Sequence, residues 1–201
     1  MTSNPPDYLA MASYYTRQAD EFLQAYFVLG LNGVRLNARY FVMAHCLALA
    51  FKASLASRSA PIEYATHDLE ALERELEARG DAELAELRPD AAAREVFARL
   101  FSRTTGNFIV QNWLDHRDSL EILLCYEHTA DLKYGIAKDG QYLSAVTTST
   151  TMMNTRFLRY VAVARRHFPD QGTSGGEIAD FVASMEEQFP EHFGGAGAII
   201  K

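Results

Sequence analysis

The stretch Arg39-Tyr40-Phe41-Val42-Met43-Ala44-His45-Cys46-Leu47-Ala48-Leu49-Ala50-Phe51-Lys52-Ala53-Ser54-Leu55 decides how this chain folds. Tyr40, Phe41, Ala44, Leu47, Ala48, Phe51 and Leu55 recur at three- and four-residue steps, the rhythm of a helix with one buried face. The pattern predicts a helix from about Leu36 to Ser57. Ser57, Ser59 and Pro61 then make a turn. Thr66-His67-Asp68-Leu69 opens a second amphipathic segment, with Thr66 the expected N-cap and Asp68 and Glu70 in the positive first turn. Leu69, Leu72 and Leu76 face inward, and Arg79-Gly80 closes the segment. The stretch is a helical hairpin.

Upstream, a helix is expected from about Pro6, with Leu9, Ala12, Tyr15, Ala19, Phe22, Leu23, Tyr26 and Phe27 on its buried side and Gly30 and Gly33 at its end. Downstream, residues 81–89 read as a polar connector ending at Pro89. A helix follows over roughly 90–102. Phe108-Ile109-Val110 fits a strand or a helix start. Residues 119–132 are helical again, through Leu120, Leu123 and Leu124, with Tyr126 a further candidate. Residues 134–143 read as two short extended pieces around Lys138-Asp139-Gly140. A long helix is expected over 148–168, stopped by Pro169, and Ser174 to Glu177 has the spacing of a capping box opening another. Residues 1–5 are expected to be disordered, 6–193 to form one domain, and the glycine-rich 194–201 to be a flexible tail. The sum is an all-α chain, an antiparallel helical bundle.

Composition narrows the function. The chain has 201 residues, enough for one well-buried domain and short for two. Its 26 acids outweigh 19 bases, for a net charge of −7. That argues against a generally basic nucleic-acid binder, because phosphate contact needs clustered Lys and Arg. Cys46 and Cys125 lie apart in apolar runs and read as small core residues, which fits a reducing, cytoplasmic setting. No signal peptide is expected, because Met1 to Asp7 lacks a charged and then apolar lead, and no membrane span, because charges interrupt the apolar windows. No His pair stands three or four residues apart and no Glu-x-x-His occurs, so no metal or other cofactor is expected.

The hairpin resembles the HEPN superfamily of helical bundles. The matching residues are Ala44, Ala48, Lys52, Ala53 and Leu55, then His67-Asp68-Leu69 and Leu72. Leu132-Lys133-Tyr134-Gly135 looks like a later Leu-Arg-Tyr segment of that family. The acid usual before the Leu-Lys position is missing here. The resemblance implies a HEPN-like core with additional C-terminal helices, and a homodimer. Some members are metal-independent endoribonucleases, and others have lost catalysis and act as binding or neutralising subunits. The nucleases carry Arg-x4–6-His near the last core helix, where His and Arg promote attack by the RNA 2′-hydroxyl and stabilise the phosphorane. In this chain Arg159 lies too far before His167 for that motif, and Arg165 and Arg166 too close. Only Arg39-x5-His45 has the spacing, and those side chains point about 120° apart on a helix.

Other candidates are weighed against plainer roles. Arg156, Arg159 and Arg166 fall opposite Phe157, Val161, Ala164 and Phe168, a stripe fit for phosphate or an acidic partner, or else a solvated face. His67 and Asp68 could help to form a site, or could simply serve a helix start. Asp115, His116 and Arg117 beside Trp113 could line a polar cleft or mark a solvated helix junction. Glu127, His128 and Asp131 offer a carboxylate–imidazole set. The reading is a binding or regulatory module acting on RNA, a nucleotide or an acidic protein. The alternatives are a metal-independent endoribonuclease using Arg39 and His45, or residues joined across a dimer, and a structural subunit without ligand.

Overall fold

The computed structural model describes residues 6–32, 36–62, 66–80, 82–101 and 108–134, together with 156, 157, 160, 161 and 187. The described residues are mostly helical, with no strand among them. The helices are α1 (Tyr8–Leu31), α2 (Leu36–Ser57), α3 (Leu69–Ala78), α4 (Ala82–Leu87), α5 (Ala91–Phe101) and α6 (Phe108–Tyr134).

α2 is the centre. It packs against α1 most extensively, and also against α6 and α3, while α5 packs on α6. The stripe read from its sequence is only part of what it buries. Met43, Cys46, Leu49, Ala50, Ala53 and Ser54 are buried as well, so from Met43 to Ala56 only His45 is not fully enclosed. A helix covered on all sides carries apolar residues all round rather than on one stripe. Ala38–Ser57 is in fact long and apolar enough to cross a membrane by length and composition, yet 78% of that span is buried within the fold. Both thiols join this core: Cys46 donates to the Ala19 carbonyl and Cys125 to the Tyr40 carbonyl. A second, smaller core of Ala93, Val96, Leu120 and Leu123 ties α5 to α6.

Helix ends follow local chemistry, with three departures from the sequence reading. The N-cap of α3 is Asp68, whose Oδ1 accepts from the Ala71 amide at 3.0 Å. Thr66 instead accepts from the Asp68 amide, so the true cap sits two residues later than its hydroxyl suggested. A carboxylate accepts the orphan amide better than a hydroxyl does. Residues 82–87 of the expected connector are helical, because Leu84 and Leu87 are buried in the main core. Phe108 to Tyr134 is one continuous helix, so the Asp115–Asp118 cluster lies within α6 and at no junction. α2 ends as a Schellman turn: Ala60 N–H donates to Leu55 O and Ser59 N–H to Ala56 O. Ser59 takes the left-handed position with φ 53°, where glycine is usual. Gly80, φ 97°, closes the turn after α3.

Tyr134, expected in an extended piece, is instead the last residue of α6, while 135–143 and both terminal segments lie outside the described residues; of the expected helix after Ser174 only Glu187 is described, and it is helical. Of the expected helix over 148–168, residues 156, 157, 160 and 161 are described and helical.

Candidate functional site

Three polar groupings stand out. The first is where α2 meets the segment leading into α3. His45 projects from the half-covered side of α2, with its ring edge-on to Phe22 at 4.4 Å and stacked on Phe41 at 6.0 Å. The connection from Ser57 back to Leu69 returns along α2 and sets the His67 ring 6.4 Å from that of His45. His67 is exposed and His45 half-buried. Burial lowers the pKa of His45, and the neighbouring charges of His67 and Lys52 lower it further. Lys52 is buried two helical turns on from His45, and burial likewise pulls its ammonium down. A neutral imidazole beside an exposed second one can accept a proton while the other donates.

The second grouping holds Arg39. Arg39 is 3% exposed, and its guanidinium lies 4.7 Å from the centre of the Tyr26 ring and donates to the Tyr26 hydroxyl at 2.8 Å. Tyr40 donates to Glu121 Oε1 at 3.1 Å, and Glu121 is itself buried. Burial works against the charge on Arg39, but Tyr26, Glu121 and Tyr40 more than offset it and its pKa is raised. Burial and Glu121 together push the Tyr40 hydroxyl far up, so it stays a donor. Arg39 thus joins α1, α2 and α6 from inside. The structure does not bring it together with His45: the two leave α2 in different directions, one into the core and one to its rim.

The third grouping surrounds Glu73 of α3, 1% exposed. Arg88 stands 3.4 Å from one carboxylate oxygen and also bridges Glu77 at 2.7 Å. The Tyr126 and Tyr160 hydroxyls bear on the same carboxyl, although neither reaches it in the alignment of a full hydrogen bond. Burial dominates and raises Glu73 to about 7, against the lowering pull of Arg88. Arg156 donates to the carbonyls of Leu87 and Arg88 at 2.8 and 3.1 Å. Its guanidinium therefore satisfies the C-terminal carbonyls of α4, and the expected solvent-facing stripe does not describe Arg156.

Arg159 and Arg166 lie outside the described residues, as does the side chain of Arg117. Asp115 is exposed and His116 partly so, both on α6. Asp68 is committed to its cap. Glu127 lies 3.9 Å from Arg94, and the side chains of His128 and Asp131 are outside the described residues. Among the described residues no group of three or more His, Cys, Asp or Glu could hold a metal ion.

The sequence reading missed the meeting of His45 with His67, and it missed Glu73, Arg88, Tyr126 and Tyr160 as a set. The first had a signal in the long return from Ser57 to Leu69. The second had one in Glu73 itself, an acid flanked by Leu72 and Leu76 on the inward side of α3. Compared with known proteins, the chain matches no family model, no curated protein and no solved structure.

Proposed function

We propose that this chain is a non-catalytic, HEPN-like antiparallel bundle that works by binding a protein partner. The observation that carries this reading is the burial of Arg39 between Tyr26, Tyr40 and Glu121. The cation of the one correctly spaced Arg-x5-His pair is spent on holding helices together, where it cannot meet a phosphorane. Five further arginines are already engaged within the fold, which supports a protein over a nucleic acid as partner. Arg79 pairs with Glu75, Arg88 with Glu73 and Glu77, Arg94 with Glu127 and Arg99 with Glu95. Arg156 is occupied by carbonyls. Phosphate tracking needs such cations presented together.

One observation favours a second reading. Two imidazoles 6.4 Å apart, one half-buried and one exposed, suit metal-independent RNA transesterification. One would take the 2′-hydroxyl proton as that oxygen attacks phosphorus. The other would give a proton to the departing 5′-oxygen.

A single experiment separates them: labelled structured and single-stranded RNA with the wild type, His45→Ala and His67→Ala, in EDTA and at low salt. The binding-module reading expects no cleavage and no retention of RNA. Cleavage by the wild type that both variants lose would establish the second reading. Retention of uncut RNA with steep salt dependence would replace the protein partner by a nucleic acid.

A further inference from the structure

Several parts of the chain converge on the carboxyl of Glu73, which is buried on the inward side of α3. Arg88, one residue past the end of α4, sets its Nε 3.4 Å from a Glu73 oxygen and its Nη2 2.7 Å from a Glu77 oxygen. Tyr126 bears on the carboxyl from α6, and Tyr160 from the stretch that carries Arg156, Phe157, Tyr160 and Val161. On the side of α2, Phe51 meets the Tyr160 ring at 6.1 Å, while Lys52 bears on His45. Phe157, Tyr160 and Val161 are buried, and Phe157 stands edge-on to Tyr26 of α1 at 4.7 Å. Arg156 donates to the Arg88 carbonyl at 3.1 Å. This one stretch therefore touches α1, α2, α6 and the end of α4, and its Tyr160 also bears on Glu73.

The charges there do not balance. Glu73 and Glu77 share one guanidinium, and that of Arg156 is turned to the carbonyls of Leu87 and Arg88. With both acids ionised, one negative charge is left over inside the fold, where an unpaired ion is costly. A proton on Glu73 removes it. The hydrogen bonding is incomplete as well: Glu73 Oε1, Glu77 Oε1, Arg88 Nε and the Tyr126 and Tyr160 hydroxyls are buried without a partner. A half-satisfied polar network has little to hold it shut once a charge is added. We propose that Glu73, Glu77 and Arg88 form a proton-operated latch. It keeps the stretch bearing Arg156, Phe157, Tyr160 and Val161 in the core while Glu73 is protonated, and lets that stretch go when the proton leaves. On opening, the proton passes to solvent, water reaches the carboxylate, and Tyr26 and Phe51 lose their cover. Burial raises Glu73 to about 7 against the pull of Arg88, so the closed state is favoured in full below 4.5 and loses that advantage as pH rises through about 7. Such a local opening costs less than global unfolding. The latch does not depend on the protein-binding reading above, and their tests have separate readouts.

The test is native-state hydrogen exchange read by mass spectrometry at pH 6 and pH 8, with and without low urea, and corrected for the chemical effect of pH on exchange. In the wild type the peptide spanning residues 156–161 is expected to open about tenfold more at pH 8 than at pH 6. Its exchange should be insensitive to low urea, because a local opening exposes little surface, whereas the core of α1 and α2 should respond to urea as global unfolding does. Glu73→Gln keeps the shape of the side chain and should abolish the pH response. Glu77→Gln leaves Arg88 to balance Glu73 alone and should shrink that response. Equal opening at the two pH values in the wild type overturns the latch. A rise that survives in Glu73→Gln, or one unchanged in Glu77→Gln, overturns it equally. So does exchange of residues 156–161 that follows urea in step with α1 and α2, since the stretch would then open only when the whole fold does.

Discussion

The Arg39 guanidinium lies over the ring of Tyr26 and also donates to the hydroxyl of that same ring, at 2.8 Å. One side chain of α1 thus engages the cation through both its ring and its hydroxyl, a combination that suits the guanidinium of arginine better than the ammonium of lysine. With Tyr40 and Glu121 it forms a polar bolt through a largely apolar centre.

Arg39→Ala is therefore expected to cost about 3–5 kcal/mol, because it leaves Glu121 buried without its nearby cation. Urea unfolding followed by circular dichroism measures it. Adding Glu121→Gln should recover part of the loss, since a neutral amide is cheaper to bury than a lone carboxylate. A loss under about 1 kcal/mol would show that Arg39 contributes packing alone.

Glu73 predicts a dependence on pH. Its folded pKa, about 7, exceeds the ordinary 4.5. The folded state then holds a proton that the unfolded state has released, so this group's contribution is present in full below 4.5 and is lost as pH rises through about 7. The groups that face it are Arg88, Glu77, Tyr126 and Tyr160. Glu73→Gln should remove this loss, on the order of 3 kcal/mol between the two limits. Denaturation midpoints from pH 4.5 to pH 8 check it. The wild type should decline relative to the variant across that window, and parallel curves would remove Glu73 as the cause.

His45 points the other way. Burial, His67 and Lys52 hold its folded pKa below 6.5. Its contribution to stability is present above 6.5 and falls as acid protonates it between Phe22 and Phe41. The imidazole proton shifts in a nuclear magnetic resonance titration should put its midpoint below that of a free histidine. His45→Phe should flatten the acid side of the stability curve.

Two turns allow sharper, smaller tests. Ser59 holds φ 53° at the end of α2, so Ser59→Gly should stabilise by about 1 kcal/mol. Asp68→Ala should cost about 1 kcal/mol, and Thr66→Ala less, because Asp68 caps α3. Thermal unfolding of the three variants orders them.

The helical character, and the span of α2, were legible because periodic apolar residues and their breakers act locally. Leu36–Ser57 came out at the bounds its pattern predicts. α6 was harder, since Phe108-Ile109-Val110 has no period of its own and the helix is fixed by packing on α2 and α5. α4 was hidden because six residues give too short a rhythm, and Leu84 and Leu87 disclose their role only when the core closes over them. The polar sets were least legible. Tyr126 and Glu73 come from helices far apart in sequence, and no spacing rule relates residues that meet only after folding. The Arg39–His45 spacing was visible in the sequence, but the burial of one and the rim position of the other follow from what packs around α2.

The apolar circumference of α2 also bears on how the chain is made. Ala38–Ser57 would pass for a membrane segment to any machinery that reads hydropathy alone. During synthesis α1 precedes it, whereas α3 and α6 are still to come, and α1 is the helix that packs on α2 most extensively. The leading helix is thus an intramolecular escort, shielding its neighbour at the ribosome before the remaining wall is built. A circular permutant with α1 moved behind α6 would lose that escort, so its penalty should appear as poor soluble yield more than as lower equilibrium stability.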